Sequence, residues 1–174
     1  MAYVALIRGI NVGGKSIVAM PALKASFERM GFAGVRTYIN SGNVVFRGPS
    51  PRRDLVEAAL GADLGREVTV VLRDTAQIGD VVDAMPDWEN DSSYRSEVYF
   101  SDLFAEPRCV DMLPLTPGLE EIRFVPGAIL CRIPRDRLTR SKLTRLAGTD
   151  LYRQMTARNC NTVRKLHQLM LAAG

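Results

Sequence analysis

Apolar and polar positions follow a regular order in the first third of the chain. The stretch "YVALIRG" (3–9) predicts a buried strand that ends in a turn. "MPALKASFERMG" (20–31) predicts a helix, because Pro21 suits a first turn and Gly31 suits a helix end. The apolar residues of this helix form one stripe, made of Met20, Leu23, Phe27 and Met30.

The next residues predict two strands, a helix and a further strand. "VRTYINSGNVVFR" (35–47) predicts two strands around a turn at Asn40–Asn43. "PRRDLVEAALGADLG" (51–65) predicts a helix, and "EVTVVLR" (67–73) predicts a strand. The inward residues predicted for this helix are Leu55, Ala59 and Ala62. The order β-α-β-β-α-β is typical of the ferredoxin-like, split βαβ arrangement.

The second half of the chain repeats this order approximately. It predicts a helix at 75–84, the polar stretch "PDWENDSSYRS" as a linker, strand 97–104 and a short helix near 107–113. These are followed by a hairpin turning at Pro126–Gly127, a helix near 140–147, a short strand near 152–157 and a last helix over 160–172. We therefore expect an α+β fold of duplicated ferredoxin-like units with mainly antiparallel sheets. The expected domains are a βαββαβ unit at 1–74, a helix and linker at 75–96, and a second βαββα(β) unit with a C-terminal helix at 97–174.

Residues 9–16, "GINVGGKS", match the phosphate-loop pattern G-x-x-x-x-G-K-[ST]. A phosphate loop places its lysine and serine at the start of the following helix, where the helix amides converge on the phosphates. Here five residues, "SIVAM" (16–20), separate Lys15 from the predicted helix start at Pro21. Phosphate-loop enzymes also need parallel βαβ units, whereas "YINSGNVVF" predicts an antiparallel hairpin. The sequence therefore disfavours a phosphate-loop NTPase.

The predicted topology places the loop after the first strand beside the turn between the second and third strands. Glycines there let backbone amides approach a ligand, and polar side chains add donors. The predicted ligand-binding residues at this end are Arg8, Asn11, Gly13, Gly14, Lys15, Ser41 and Asn43. The alternative is plain turn formation, because Gly and Asn are the residues that turns require.

Composition places the chain among ordinary globular proteins. It has 174 residues, of which 47% are hydrophobic and 24% charged. No apolar run reaches the ~18–20 residues of a membrane helix, and the start lacks the basic region of a secretory signal. We therefore expect a cytoplasmic protein without a membrane partner. Three widely spaced cysteines and one histidine, His167, predict no disulfide framework, no metal and no other cofactor.

Charge is distributed unevenly around the net value of +4. Residues 132–165 carry ten Lys or Arg and two acids, a local +8, while the remainder carries thirteen basic and seventeen acidic residues, a local −4. "RLTRSKLTRLAG" (137–148) predicts a helix capped by Thr139, which places Arg140, Ser141 and Lys142 in its first turn. Cations there oppose the helix dipole unless an anion binds.

A second helix start carries a similar group of residues. In "TARNCNTVRKL" (156–166), Asn159 is a good cap and Arg158 stands just before the helix. The predicted ligand-binding residues of this half are Arg140, Ser141, Lys142, Arg158, Asn159, Asn161 and Thr162. Pairing of the cations with nearby acids such as Asp136 or Asp150 is the alternative.

Several of these motifs together resemble the bacterial family known as domain of unknown function 1697. The motifs are "YVALIRGINVGGK", "MPALKASFERMGF", "VRTYINSGNVVF", "RSKL" and "ARNCNTVRKL", and they cover nearly the whole chain. The resemblance implies an α+β fold with ferredoxin-like pieces and no established activity, so it assigns no catalytic residue. The family pattern has Lys-Asn or similar after the double glycine, which makes Ser16 incidental, and it commonly has tryptophan at the position of Cys160.

The leading hypothesis is binding of a phosphate-bearing ligand, nucleic acid or nucleotide, because cations stand at two predicted helix starts. The first alternative is an enzyme acting on a small phosphorylated or carboxylated substrate, suggested by the polar loop and turn at one sheet end. The second alternative is a protein-interaction module that uses exposed sheet edges.

Overall fold

The computed structural model describes residues 1–11, 17–85 and 87–174. The chain divides into two compact units, which are described separately. Unit 1 contains Met1–Ala76 and Leu166–Gly174, and unit 2 contains Gln77–Lys165. Among the described residues, no helix combines the length and the apolar character needed to cross a bilayer.

Unit 1 has the predicted β-α-β-β-α-β order. Its elements are β1 (Ala2–Ile7), α1 (Met20–Arg29), β2 (Ala33–Tyr38), β3 (Asn43–Arg47), α2 (Arg53–Leu64) and β4 (Val70–Asp74). The sheet order is β2-β3-β1-β4, and each neighbouring pair is antiparallel. The ferredoxin-like prediction for this unit is therefore confirmed.

The core of unit 1 lies between one face of the sheet and the two helices. Alternate residues of β1, Tyr3, Ala5 and Ile7, pack with Leu23 and Phe27 of α1. The predicted stripe on α1 is thus confirmed, since Leu23 and Phe27 are fully buried and Met20 and Met30 pack against the core.

The predicted inward face of α2 is wrong by one residue. Leu55 is 58% exposed, whereas Val56 and Leu60 are buried. Val56, Leu60 and Leu64 follow the spacing i, i+4, i+8, so this face turns three large apolar side chains toward the core. Their burial removes more apolar area from water than burial of Leu55 and two alanines would.

Gly42 closes the turn before β3 in a conformation that a side chain would disturb. Its φ is +75°, and a Cβ there would lie 3.0 Å from the Ile7 carbonyl oxygen and 3.1 Å from the Ile7 Cβ. We expect Gly42→Ala to lower the free energy of unfolding by about 2–3 kcal/mol, through left-handed strain and crowding together. Urea unfolding measures this loss.

Gly65→Ala provides the matched control in the same unit. Gly65 has a φ of +64°, but nothing lies within 4 Å of the Cβ position. This variant should lose only about 1–2 kcal/mol, the conformational part alone. Equal losses at Gly42 and Gly65 would show that close approach to Ile7 does not matter.

Unit 2 repeats the sheet but replaces long helices with 3₁₀ turns. After α3 (Thr75–Asp83), its elements are β5 (Tyr94–Phe100), a 3₁₀ helix (Pro107–Met112), β6 (Glu121–Val125), β7 (Ala128–Pro134), two 3₁₀ helices (Arg135–Arg140 and Lys142–Leu146), α4 (Asp150–Arg153) and β8 (Thr156–Asn159). The last helix, α5 (Cys160–Leu171), begins in unit 2, and its residues from Leu166 onward belong to unit 1. The order β6-β7-β5-β8 reproduces that of unit 1, again antiparallel throughout. The duplicated architecture is therefore confirmed, as is the hairpin turn at 126–127.

The predicted helix near 140–147 is wrong. Two 3₁₀ helices flank Ser141 instead, and the cap of the second is Ser141, whose Oγ accepts a hydrogen bond from the Leu143 amide at 3.2 Å. Thr139 lies inside the first 3₁₀ helix and caps nothing. Leu143 and Leu146, three residues apart, are both buried. That spacing fits about three residues per turn as well as it fits an α-helix, so the apolar pattern could not distinguish them.

Trp88 lies in the stretch that the sequence assigns to a linker, yet only 1% of its surface is exposed. The guanidinium groups of Arg123 and Arg132 each lie 5.2 Å from the centre of its ring. Arg123 also donates a hydrogen bond to the Ala84 carbonyl at 2.8 Å, and Arg164 donates one to the Met85 carbonyl at 2.6 Å. Arginines of β6, β7 and α5 thus hold this stretch in place within unit 2.

Candidate functional site

The predicted N-terminal residues gather at one end of the sheet of unit 1. The Ile7 amide donates to the Gly42 carbonyl at 2.8 Å, and the Arg8 amide donates to the Thr69 carbonyl at 2.9 Å. The loop after β1 and the turn between β2 and β3 are therefore neighbours, as the topology predicts. Gly13, Gly14 and Lys15 lie outside the described residues.

The Asn11 amide group ties these two segments together. Its Nδ2 donates to the Val18 carbonyl at 3.0 Å and to the Asn40 carbonyl at 3.1 Å, while its Oδ1 accepts from the Val18 amide at 2.7 Å. Asn11 and Ile39 both have positive φ, +57° and +48°. The Asn11 side chain therefore braces a strained backbone.

We expect Asn11→Ala to lower the free energy of unfolding by about 1–3 kcal/mol, because the Val18 amide loses its acceptor. Hydrogen exchange of the Val18 amide should accelerate, and NMR measures this at the single residue. Asn40→Ala is the control, since Asn40 contributes only its backbone carbonyl to this brace. Unchanged protection of Val18 in Asn11→Ala would contradict the bracing role.

Asn43 and Ser41 also stabilise the turn. Asn43 is fully buried, and its Nδ2 donates to the Tyr38 carbonyl at 3.1 Å and to the Ser41 Oγ at 2.8 Å. These donors point toward the turn rather than outward. The hydrogen bonds at this end of the sheet thus favour turn formation for Asn11, Ser41 and Asn43.

Arg158 lies inside β8, with 8% of its surface exposed. Its Nη1 donates to the Thr156 Oγ1 and to the Ala157 carbonyl, both at 2.7 Å. Burial lowers the pKa of its guanidinium to about 10. Since Arg158 is buried in the sheet, it is not an exposed cation in front of α5.

The equivalent strand of unit 1 carries an arginine at the same register. Arg73 of β4 pairs with Val4 of β1, just as Arg158 of β8 pairs with Val98 of β5. Arg73 is also buried, and its Nη1 donates to the carbonyl of the preceding residue at 2.7 Å. Repetition of the same arrangement in both units identifies these arginines as part of the shared framework.

The other residues predicted at the start of α5 make structural contacts. Asn159 caps the helix, because its Oδ1 accepts from the Thr162 amide at 2.8 Å, which confirms the predicted cap. Asn161 exchanges two hydrogen bonds of 3.1 Å with the backbone of Asn90. Thr162 is buried. These contacts order the start of α5.

The segment Arg135–Leu146 has a different character, and we call it the cationic segment. Each of its two 3₁₀ helices carries two cations three residues apart, Arg137 with Arg140 and Lys142 with Arg145. Side chains at i and i+3 lie on the same face of a 3₁₀ helix, about 6 Å apart along its axis. All four are exposed, and none forms an ion pair with any residue that the structure describes.

Three other cations of unit 2 have acidic or hydrogen-bonding partners. Arg132 and Glu121 form an ion pair at 2.9 Å, as do Arg153 and Asp150. Arg135 donates to the Asp91 carbonyl and to the Asn90 Oδ1. Within the cationic segment, Arg137, Arg140, Lys142 and Arg145 form no ion pair with a described residue, whereas Arg135 is held by the two hydrogen bonds just described.

Residues from an earlier loop hold the junction between the two 3₁₀ helices. Ser141, 6% exposed, donates from Oγ to the Glu120 Oε1 at 2.6 Å. Sequence reasoning missed Glu120 and Thr116, and it did not single out Arg137 or Arg145. The repeated spacing in "RLTRSKLTR" was the signal for the two missed cations.

The cysteines offer no reactive thiol. Burial raises the pKa of the Cys131 thiol far above its ordinary value and that of Cys160 to about 11. Both thiols therefore stay protonated at neutral pH, and a protonated thiol is a poor nucleophile.

Two described features beside the phosphate-loop match differ from those that a phosphate loop requires. Helix α1 begins at Met20, five residues after Lys15 in the sequence, and Lys15 and Ser16 themselves lie outside the described residues. Strand β1 pairs antiparallel with both β3 and β4. A phosphate loop needs a parallel sheet and a helix that starts at the lysine.

Comparisons with known proteins give a family and a solved structure. Residues 1–129 match the family model described as "Protein of unknown function (DUF1697)". A solved structure, that of the conserved bacterial protein SP0830 from Streptococcus pneumoniae, is 26% identical with a TM-score of 0.77, covering 97% of this chain and 98% of that one. No curated protein matches the chain significantly. The cationic segment lies beyond the residues that the family model matches.

Proposed function

This chain belongs to the family of proteins of unknown function DUF1697, and we propose that it binds a phosphate-bearing ligand, nucleic acid or nucleotide, through its cationic segment. The observation that carries the proposal is the pairing of four exposed cations without acidic partners among the described residues. The proposal rests on this chain's own residues, since the matched family is described as one of unknown function.

Repulsion between the cations supports the proposal. Like charges close together on one helix face destabilise it by about 0.2–0.5 kcal/mol per pair. Arg137 and Arg140 form one such pair, and Lys142 and Arg145 form another. A bound phosphate would replace this repulsion with charge-assisted hydrogen bonds, which are about twice as strong as neutral ones.

The chemistry of the side chains fits phosphate in particular. Arginine presents a planar fork of donors that matches two phosphate oxygens at once, and lysine adds a compact charge. Three of the four cations are arginines. Their exposure also fits a ligand that lies along the surface, since a small nucleotide is usually enclosed in a cleft.

The compartment is part of the proposal. All three cysteines are free thiols and buried in the interior. Unpaired cysteines are typical of reducing compartments, where disulfides are rare. This supports a cytoplasmic protein, where nucleic acids and nucleotides are both at hand.

Fluorescence anisotropy with labelled single-stranded RNA, single-stranded DNA and a labelled ATP analogue tests the proposal. Contacts with up to four phosphates predict a slope of log K against log salt of about −3 for a single strand. Binding should be clear at ~50 mM salt and much weaker at ~200 mM. Absence of binding by all three probes at the lower salt would refute the proposal.

A further inference from the structure

Two side chains surround the junction of the cationic segment, and with Ser141 we call them the clamp. The Glu120 Oε1 accepts the Ser141 hydroxyl at 2.6 Å, and its Oε2 accepts the Thr116 amide at 2.7 Å. The Thr116 Oγ1 donates to the Arg140 carbonyl at 3.3 Å and accepts from the Lys142 amide at 3.1 Å. Glu120 and Thr116 thus contact three successive residues, Arg140, Ser141 and Lys142, where one 3₁₀ helix ends and the next begins.

This junction decides how the two cation pairs are placed relative to each other. Arg137 and Arg140 belong to the helix before Ser141, and Lys142 and Arg145 belong to the helix after it. Ser141 itself has extended backbone, with φ −70° and ψ 132°. A single extended residue between two short helices permits many relative orientations, so side-chain contacts must select one.

We propose that Glu120 is a positioning residue that fixes the two cation pairs as one surface for several successive phosphates of a nucleic-acid chain. The inference rests on the proposed function and names its ligand class. One phosphate can engage only one pair, whereas a chain of phosphates gains from both only when their arrangement is fixed beforehand. Glu120 acts here through Ser141 and Thr116 without touching the ligand.

The sign of the effect distinguishes positioning from charge. Glu120 is an acid beside a cationic surface, so removal of its charge alone should tighten anion binding. In Glu120→Gln the amide oxygen can still accept from the Thr116 amide, but the NH2 group can meet the Ser141 hydroxyl only as a donor, so the charge-assisted hydrogen bond from Ser141 to the carboxylate is lost. Positioning therefore predicts that Glu120→Gln weakens binding of a twelve-nucleotide single strand, by about five- to tenfold.

Asp136→Asn is the matched charge control. Asp136 is exposed within the cationic segment and forms no ion pair with a residue that the structure describes. Its neutralisation should tighten binding of the same strand slightly. Thr116→Val is the uncharged test of the clamp, because it removes both hydrogen bonds of the Thr116 hydroxyl at constant charge, and it should weaken binding like Glu120→Gln.

Two further readouts separate positioning from simple loss of structure. In Glu120→Gln the salt slope should fall from about −3 to about −1.5, because only one pair then engages at a time. Binding of a labelled ATP analogue, which needs one pair, should change less than twofold. Fluorescence of Trp88, the single tryptophan of the chain, and the thermal midpoint report whether unit 2 stays folded.

The results separate this inference from the proposed function. If the wild-type chain binds no oligonucleotide at low salt, the proposed function fails and the inference fails with it. If the wild-type chain binds but Glu120→Gln and Thr116→Val bind as tightly as Asp136→Asn, only the inference is overturned. Should Glu120→Gln unfold, Thr116→Val alone decides: weaker binding with a reduced salt slope supports positioning, and unchanged binding overturns it.

Discussion

Replacing Arg137, Arg140, Lys142 and Arg145 together with glutamine should weaken binding of a single-stranded oligonucleotide by about 10²–10³-fold at ~100 mM salt. Each phosphate contact releases about one condensed counterion, which favours binding. When four contacts are lost, the four reductions in the binding constant multiply. The salt slope should approach zero at the same time. Anisotropy titrations of the wild-type chain and the variant at several salt concentrations measure both quantities.

A variant with the same net charge tests whether place or total charge matters. Four exposed cations of unit 1 can be replaced with glutamine instead, namely Lys24, Arg36, Arg47 and Arg66. If the cationic segment is the site, this control should lose less than fivefold, through the general field alone. Equal losses in the two variants would mean that binding follows net charge and has no defined site.

The largest effect on stability is expected at Trp88. Trp88→Ala should lower the free energy of unfolding by about 3–5 kcal/mol, because a fully buried aromatic side chain leaves a cavity. Its two cation–π contacts with Arg123 and Arg132, at 5.2 Å each, are lost as well. Urea unfolding followed by far-ultraviolet circular dichroism measures the loss.

Trp88→Phe is the control for this prediction. Phenylalanine keeps a ring between the two guanidinium groups and fills most of the volume, so it should lose clearly less than alanine. In Trp88→Ala, by contrast, Arg123 and Arg132 lose the aromatic ring that their guanidinium groups contact. A loss below about 1 kcal/mol for Trp88→Ala would contradict the burial of this side chain.

The sequence predicted the framework well where apolar spacing decided it. The continuous apolar run of β1 and the stripe of α1 each have one good solution, and the buried strand and the inward helix face are both confirmed. Helix α2 could turn either of two faces inward, one through Leu55 and one through Val56. The face through Val56 buries more apolar area, and it is the one that faces the core. The 3₁₀ helices were missed because Leu143 and Leu146 fit both helix types.

Trp88 shows a different limit of sequence reasoning. Its neighbours are polar, so the local pattern predicts a solvated stretch. Partners distant in sequence lie against it instead, since the guanidinium groups of Arg123 and Arg132 lie over the ring. No local window contains those contacts.

The candidate site was predicted in part. The uneven charge directed attention to Arg140 and Lys142, which are exposed, and their role in ligand binding stays a prediction. It could not separate them from Arg158, because burial in β8 depends on the sheet register. Glu120 was also out of reach, since it contacts Ser141 from a loop 21 residues earlier.

The most direct measurement is an NMR titration of the wild-type chain with a short single-stranded oligonucleotide at low salt. We expect backbone amide and guanidinium signals to shift most at residues 135–146, to saturate with added oligonucleotide, and to return when salt is raised. Shifts confined to the end of unit 1 that carries Arg8 and Ser41, or no shifts at all, would contradict it.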